Sequence, residues 1–245
     1  MVTALKKTAE FGACRITVDE ATKIIFLQED WRYNWRVKGL DDLGNLARKL
    51  YFGTDPSIFD MPSPWTLAEK QTFHNKCDTM IWRHMSGNVK IFVTGQSNFA
   101  CRNIDSVFSV NFDIRWVLTG GHWQVDVLKV PAYARAKESE HVHFPDKKIQ
   151  LVHGVATIPR RLNESQPKAA MQASVLHEFG HTFDVDDEYG YEYGRDQQQL
   201  PSAFVKDING LMNIGNQLRN RYFKEVIVWM NTMIPDTKFE IDYVY

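Results

Sequence analysis

The sequence predicts an α+β domain with a twisted, mixed β-sheet, and three features of the chain support this prediction. Apolar residues alternate at the period of a β-strand, most clearly over residues 107–130. Apolar residues recur at helical spacing from Trp65 onward and again from Asn216 to Met233. The strands precede the last helices and do not alternate with them, which favours the α+β class.

Short segments with clear patterns predict the remaining elements. Residues 107–114 and 123–130 alternate on either side of Gly120-Gly121, so they are predicted to form a hairpin. Strands are also predicted at Ile24–Leu27, Val89–Thr94 and Ile149–His153, and a helix at Leu40–Tyr51.

The best linker candidate lies between residues 55 and 64. Three prolines fall in this stretch, and proline cannot extend a helix. The length of 245 residues fits one large domain, or one domain with a smaller N-terminal part. We therefore predict an N-terminal accessory segment or subdomain at residues 1–60 and a main domain at residues 61–245.

Composition and charge exclude several classes of protein. Hydrophobic residues make up 44% of the chain, which is enough for a sizeable core. The formal charge is −1 without a basic stripe, so no nucleic-acid partner is predicted. No apolar run suits a membrane span, and none follows the N-terminal lysines as in a cleaved secretory signal. Three cysteines without C-x-x-C spacing predict neither a disulfide scaffold nor a cysteine-based zinc cluster.

The strongest chemical signal is an H-E-F-G-H motif that begins at His177 and ends at His181. Residues 169–173 are good helix formers, so both histidines are predicted on one helix. At a spacing of four they share a face and can reach one Zn²⁺ ion. Glu178 lies between them and can accept a proton from a zinc-polarised water that attacks a carbonyl. The motif therefore predicts a zinc-dependent peptide hydrolase with Glu178 as general base.

Two glycine-containing features agree with a metal site. Gly180 lies inside the predicted helix, where glycine costs about 1 kcal/mol relative to alanine, so another element or a substrate is expected to approach closely. Met212 lies between Gly210 and Gly215 and predicts a tight apolar turn beneath the metal. A plain packing contact and an ordinary buried turn are the alternatives.

Glu225 is the preferred third zinc ligand. On a continuous helix from Asn216 to Met233 it falls in the middle of the apolar stripe. A carboxylate that faces the core must be paired or must bind a metal. A salt bridge to Arg221 is the alternative interpretation.

Asp187 and Glu188 are rival third ligands. Asp187 comes ten residues after His177, the spacing of metallopeptidases that take a final ligand after the motif helix. Asp184 stands where those proteins have a glycine, although aspartate also adopts left-handed conformations. The acidic run of residues 184–188 has three other interpretations, namely orientation of the histidines, calcium binding or simple solvation.

The remaining six histidines show no ligand spacing and are predicted to be structural or exposed. The segment around His141 and His143 is predicted to be an exposed loop, because Glu138 and Glu140 precede these histidines and Pro145 follows them.

The motif residues resemble a group of bacterial zincins. The resemblance rests on H-E-F-G-H at residues 177–181, Asp187-Glu188-Tyr189, and Leu211-Met212-Asn213. The chain is similar in particular to the metallopeptidase effector domains attached to type VI secretion spike proteins. The general layout covers about Trp65 to Met233, but the specific motifs occupy only the last seventy residues or so.

The resemblance implies a zincin-like α+β domain with an HExxH active-site helix, a Met-containing turn and a C-terminal helix. It implies a neutral zinc metallopeptidase that acts as a toxin or effector and is translocated without a cleaved signal peptide. A secretion carrier and an immunity protein are the implied partners, with residues 1–60 as a docking segment.

The resemblance also carries over to single residues. His177 and His181 correspond to zinc ligands, Glu178 to the base, and Glu225 to a glutamate ligand on the C-terminal helix. Arg221 departs from the His-Tyr pair of many relatives. Tyr222 is nevertheless predicted to be catalytic, as a residue that hydrogen-bonds a developing oxyanion, with Arg221 as the alternative donor.

A protein or peptide is the predicted substrate, docked between a sheet edge and the motif helix. Two alternatives stay open. One is a zinc amidase that acts on cell-wall peptide, and the other is a non-catalytic binding module in which zinc only stabilises the fold. A structural zinc site would normally have four protein ligands and no base.

Overall fold

The computed structural model describes residues 3–37, 62–130, 140–159, 171–188 and 202–245. These residues form a mixed, twisted nine-stranded sheet with helices packed against it, which confirms the α+β class. The predicted helix at Leu40–Tyr51 and most of the linker candidate lie outside the described residues.

The strands run along the chain as follows: β1 (Lys6–Glu10), β2 (Arg15–Asp19), β3 (Ile24–Val37), β4 (Val89–Gly95), β5 (Val107–Trp116), β6 (Trp123–Lys129), β7 (His141–His143), β8 (Lys148–Val152) and β9 (Thr237–Val244). The helices are α1 (Leu67–Met85), α2 (Asn98–Arg102), α3 (Ser174–His181), α4 (Ser202–Lys206), a 3₁₀ helix (Asn220–Phe223) and α5 (Lys224–Met230).

The main sheet path is β7-β8-β6-β3-β5-β4-β9, and β1 and β2 are added beside the first half of β3. Strands β5, β3, β6 and β8 are parallel. The outer pairs of this path, β7 with β8, β5 with β4 and β4 with β9, are antiparallel. Strand β9 has no counterpart among the strands predicted from sequence.

Strand β3 is the longest strand and lies at the centre of the sheet. Its first half pairs with β2 on one side and β5 on the other, and its second half pairs with β6. Residues 6–37 are therefore part of the same sheet as the described strands that follow residue 61, and they do not form a separate N-terminal subdomain. The prolines at 55–64 suggested a boundary, but the hydrogen bonds of β3 join the two sides of that boundary.

The hairpin predicted for residues 107–130 is wrong. Strands β5 and β6 run in the same direction on opposite sides of β3. The connecting chain passes β3 at Asp30, whose carbonyl oxygen accepts a hydrogen bond from the backbone N–H of His122 at 2.8 Å. A Cβ atom on Gly121 would lie 2.9 Å from that oxygen. Gly121 therefore permits a close crossing of another strand here and not a hairpin turn.

Helix α1 confirms the helix predicted downstream of Trp65. Thr66 accepts a hydrogen bond from the backbone of Glu69, and Glu69 accepts one from the backbone of Thr66, a reciprocal capping box that begins the helix at Leu67. Its apolar face buries four residues against the sheet: Phe73, Cys77, Ile81 and Met85.

Helix α3 is short, apolar and almost wholly buried. It begins at Ser174, whereas good helix formers predicted helix from about residue 169, and residues 171–173 are not helical. The ring of Phe179 contacts Trp31 of β3 and Phe112 of β5, with centroids 6.4 and 6.2 Å apart. These contacts fix the helix on the centre of the sheet. Within the described parts of the chain, every helix is too short or too polar to cross a membrane.

Candidate metal centre

Three side chains converge at the C-terminal end of α3 and in the loop that follows it. The Nε2 atoms of His177 and His181 lie 3.2 Å apart, and they lie 2.9 and 3.2 Å, respectively, from Oδ1 of Asp187. The three candidate ligand atoms thus fall within 4.8 Å of one another. No other histidine, cysteine or carboxylate among the described residues joins this group.

Backbone carbonyls fix the orientation of both imidazole rings. Nδ1–H of His177 donates to the carbonyl oxygen of Leu211 at 2.8 Å. Nδ1–H of His181 donates to the carbonyl oxygen of Val185 at 2.6 Å. When Nδ1 carries the hydrogen, Nε2 of a neutral ring presents a lone pair. Both lone pairs then point at one place, which is how metal-ligating histidines are usually held.

A left-handed residue places Asp187 opposite the histidines. Asp184 has φ of 61°, a left-handed conformation that favours glycine and that aspartate adopts more readily than most residues. The chain reverses there, and Val185 and Asp187 return to face His181. Burial alone would raise the pKa of Asp187, but in the metal-free cluster hydrogen bonds from Nε2 of His177 and His181 hold that pKa well below its usual range. A hydrogen on Nε2 makes each of these bonds, and a bound metal ion would take the place of that hydrogen. Asp187 is thus a carboxylate at neutral pH, as a metal ligand must be.

The turn predicted around Met212 lies directly beneath α3. Met212 is fully buried, and a Cβ atom at position 180 would overlap its sulfur. The carbonyl oxygen of Leu211 accepts the hydrogen bond from His177, and that of Met212 accepts one from the backbone N–H of Glu188 at 2.7 Å. One turn therefore supports both the first histidine and the acidic loop.

Gln172 holds this turn, and sequence reasoning missed it. The residue is buried, and its Nε2 amide donates to the carbonyl oxygen of Leu211 at 2.7 Å and to that of Gly215. A lone glutamine in a run of helix formers carries no signal in the sequence, because its partners lie about forty residues further along the chain.

Glu178 is buried beside the cluster with one oxygen unused. Its side chain is 4% exposed, and Oε2 has no hydrogen-bond partner among the described residues. Burial raises the pKa of Glu178 to about 7, against the opposing influence of His177 and His181. An unpartnered buried oxygen is costly, so it indicates that a proton or a ligand is expected there.

A cleft of about 400 Å³ opens onto the cluster. One wall is formed by strand β7 and the residues after it, and the other by Glu178, His181 and residues 184–187. The exposed loop predicted at His141 and His143 is in fact strand β7, although both side chains are exposed as expected. Strand β7 ends the sheet path among the described strands.

The structure does not bring Glu225 to the cluster. Glu225 lies in the first turn of α5, is partly exposed, and lines a neighbouring cleft together with Arg221 and Phe183. The argument for Glu225 assumed a continuous α-helix from residue 216. A 3₁₀ helix occupies Asn220–Phe223 instead, with about 120° per residue, so the apolar stripe was projected in the wrong register.

Glu188 and Tyr222 belong to an ion-pair network beside the cluster. Arg221 binds both oxygens of Glu188, at 2.6 and 2.7 Å, and also Asp207 at 2.7 Å. The hydroxyl of Tyr222 donates to Glu188 at 3.0 Å. Both oxygens of Glu188 are therefore bound by Arg221, and Tyr222 contacts the residue next to Asp187 and not the three clustered side chains.

A second buried carboxyl supports the end of α3. Thr182, directly after His181, donates through its hydroxyl to Glu29 of β3, and the indole N–H of Trp31 donates to the same carboxyl at 2.8 Å. Glu29 is fully buried, and burial raises its pKa to about 8. Sequence reasoning missed Glu29 because its partner lies 153 residues away.

The donor set suits a zinc ion. Two imidazole nitrogens and one carboxylate oxygen are ligands that zinc accepts, and three protein ligands leave a coordination position open. Comparison of the chain with protein families, with curated proteins and with solved structures found no match to any of them.

Proposed function

We propose that this protein is a zinc-dependent peptidase of the zincin type, with His177, His181 and Asp187 as its metal ligands. The observation that carries the proposal is the convergence of these three side chains beside the unpartnered, buried Oε2 of Glu178. A purely structural zinc site needs four protein ligands and no base. The site proposed here has three protein ligands and a base, Glu178, among the described residues.

Glu178 acts as the general base in this proposal. Bound zinc would polarise the substrate carbonyl and lower the pKa of a water molecule to about 7. Glu178 accepts a proton from the attacking water at Oε2 and donates it to the leaving amine. Its pKa of about 7 suits a group that must both take and return a proton near neutral pH.

An extended peptide is the substrate that the cleft favours. Strand β7 forms one wall, and no other described strand pairs with its outer edge, so a peptide can add to the sheet beside α3. Delivery into rival or host cells, a carrier and an immunity partner remain predictions from the resemblance alone.

Metal content and peptide cleavage test the proposal together. The wild type should bind one zinc ion per chain and cleave a mixed peptide library. His181→Ala should lose both properties. Glu178→Gln should keep the zinc and lose about 10²- to 10⁴-fold in rate. His84→Ala is the matched control, because it removes an exposed histidine from another helix.

Two outcomes contradict the proposal. A wild type that binds no zinc after reconstitution would mean that the histidine pair is only structural. A zinc-loaded protein that cleaves no peptide, with Glu178→Gln indistinguishable from the wild type in every assay, would favour a module that zinc staples.

A further inference from the structure

Helix α3 carries two buried polar atoms that lack a hydrogen-bond partner. They are Oγ of Ser174 and Oε2 of Glu178, and no other buried side-chain nitrogen or oxygen in the described part of the chain is left unpaired. Ser174 is only 6% exposed and Glu178 only 4%. A buried polar atom without a partner is costly, so folded proteins contain few of them. Two such atoms on one short helix therefore call for a shared explanation.

Ser174 and Glu178 lie one helical turn apart on the same face of α3. Residues four apart on an α-helix have Cβ atoms about 5–6 Å from each other. The side chain of Glu178 also leans back over the turn that carries Ser174, because Cα–Cβ bonds on a helix tilt toward its N-terminus. The two atoms are neighbours without being hydrogen-bonded to each other. A group that joins them must therefore be small and must bond to both.

A single water molecule meets this requirement. Buried waters typically bond two to four polar groups that would otherwise be unpaired. The hydroxyl of Ser174 can donate to the water oxygen, and the water can donate to Oε2 of Glu178. A carboxylate oxygen has two lone pairs, so Oε2 can accept from this water and still take the catalytic proton. Glu178 lines the cleft and Ser174 does not, so the hydroxyl lies behind the base and outside the path of a substrate.

A hydroxyl and a water suit the two states of the proposed base. Glu178 is an acceptor only while it is ionised, and it becomes a donor once it has taken the proton from the attacking water. An ammonium or a backbone N–H can only donate, whereas a hydroxyl and a water each donate and accept. The bridge from Ser174 can therefore persist in both states through rotation of the hydroxyl and of the water.

We propose that Ser174 is a positioning residue for Glu178, which it holds through one bridging water molecule in the orientation needed to take and return a proton. The proposal rests on the peptidase function argued above. It adds a residue that contacts neither substrate nor metal and that acts only through Glu178. Loss of the bridge should therefore lower kcat and leave KM and zinc content unchanged.

The first test measures kcat, KM and zinc content for variants of Ser174. Ser174→Ala should lower kcat about tenfold, because it removes a hydrogen-bonded link to a charged group. Ser174→Gly removes the same hydroxyl and takes its place if Ser174→Ala fails to fold. Ser174→Thr keeps the hydroxyl and should restore most of the rate. Ser106→Ala is the control, since Ser106 precedes β5 and lies outside both α3 and the cleft.

The second test is a double-mutant cycle that shows whether Ser174 acts through Glu178. In a Glu178→Ala background, serine and alanine at position 174 should give the same residual rate within about twofold. The same four proteins are unfolded with urea in the absence of zinc. Ser174→Ala should lower the urea midpoint of the wild type, because Glu178 loses its link. It should raise the midpoint in the Glu178→Ala background, where the hydroxyl has already lost its own link.

Three outcomes contradict the inference. A folded, zinc-loaded Ser174→Ala with the kcat of the wild type would overturn the positioning role and leave the peptidase function intact. Equal falls in kcat, or equal shifts of the urea midpoint, in the two backgrounds would also overturn it, because Ser174 would then act independently of Glu178. A zinc-loaded wild type that cleaves no peptide would overturn the proposed function and this proposal with it.

Discussion

Gly180 and Met212 lie so close together that a Cβ atom at position 180 would overlap the methionine sulfur. The two residues come from different parts of the site, one from α3 and one from the turn beneath it. Each was singled out in the sequence for a separate reason, and the structure shows that the glycine makes room for the methionine. Because Leu211, the neighbour of Met212, accepts the hydrogen bond from His177, this contact also affects the position of a proposed ligand.

The contact predicts that the effect of Gly180→Ala changes sign with the residue at 212. In the wild type the added methyl group overpacks the site and lowers the free energy of unfolding by about 1–3 kcal/mol. In a Met212→Ala background the overlap is gone, and the same change should raise stability by up to about 1 kcal/mol through helix propensity. Urea unfolding of the four proteins of this double-mutant cycle measures both values. Equal effects in the two backgrounds would show that the contact is not tight.

The structure and the sequence favour different residues as the third zinc ligand, Asp187 and Glu225 respectively. Asp187→Ala should weaken zinc binding by more than the 10- to 100-fold that supporting residues typically contribute, because it removes a ligand atom. Glu225→Ala should leave zinc affinity unchanged, since Glu225 lies outside the cluster. Competition with a chelator measures both affinities. The reverse ranking would restore Glu225 as the ligand and would require α5 to move.

Local patterns were enough to predict much of this fold. Helix α1, the start of β3 and the placement of both motif histidines on a helix depend on residues within one or two turns of each other. The turn at Met212 was also predicted, because glycines bracket a short apolar segment. These features are encoded by neighbours in sequence, and patterns of neighbours are what a single sequence displays.

Features that depend on distant partners were not predictable. Apolar and polar residues alternate along β5 and β6 as they do in the two strands of a hairpin. In the sheet, however, β3 lies between them, and β3 comes about eighty residues earlier in the chain. The angular position of Glu225 around the helix axis was predicted wrongly, because a 3₁₀ turn occupies four residues of the expected α-helix. In each case tertiary contacts outweighed the local preference.

Substitution of Tyr222 can distinguish a supporting role of this residue from a catalytic one. Its hydroxyl donates to Glu188, next to Asp187, and the ring is buried. Tyr222→Phe keeps the packing and removes one hydrogen bond to a charged acceptor, so we expect a loss of stability of about 1.5–3 kcal/mol. The loss in kcat should stay below about tenfold. A loss of about 10²- to 10³-fold in kcat, with stability retained, is the mark of an oxyanion donor and would return Tyr222 to the catalytic residues.

Glu29 gives the fold a dependence on pH. The carboxyl is fully buried between Trp31 and Thr182, and burial raises its pKa from the ordinary value of 4.5 to about 8. Between these two values the folded chain keeps a proton that the unfolded chain releases. The free energy of unfolding therefore falls as pH rises from about 4.5 to about 8, by at most about 1.4 kcal/mol per pH unit from this group.

Glu29→Gln should remove this contribution, because glutamine is neutral throughout. Its amide oxygen can accept from Trp31, and its NH₂ group can donate to the Thr182 hydroxyl, which has the carbonyl oxygen of Phe179 as an acceptor at 2.6 Å. The variant and the wild type should be equally stable near pH 4.5, and the variant should become progressively more stable up to pH 8. Urea unfolding at several pH values measures the difference. Glu240→Gln on β9 is the control, since Glu240 is only partly buried and pairs with Lys238, and it should show no such divergence. A variant that is less stable than the wild type at pH 8 would mean that Glu29 is ionised in the folded protein and balanced by a positive group.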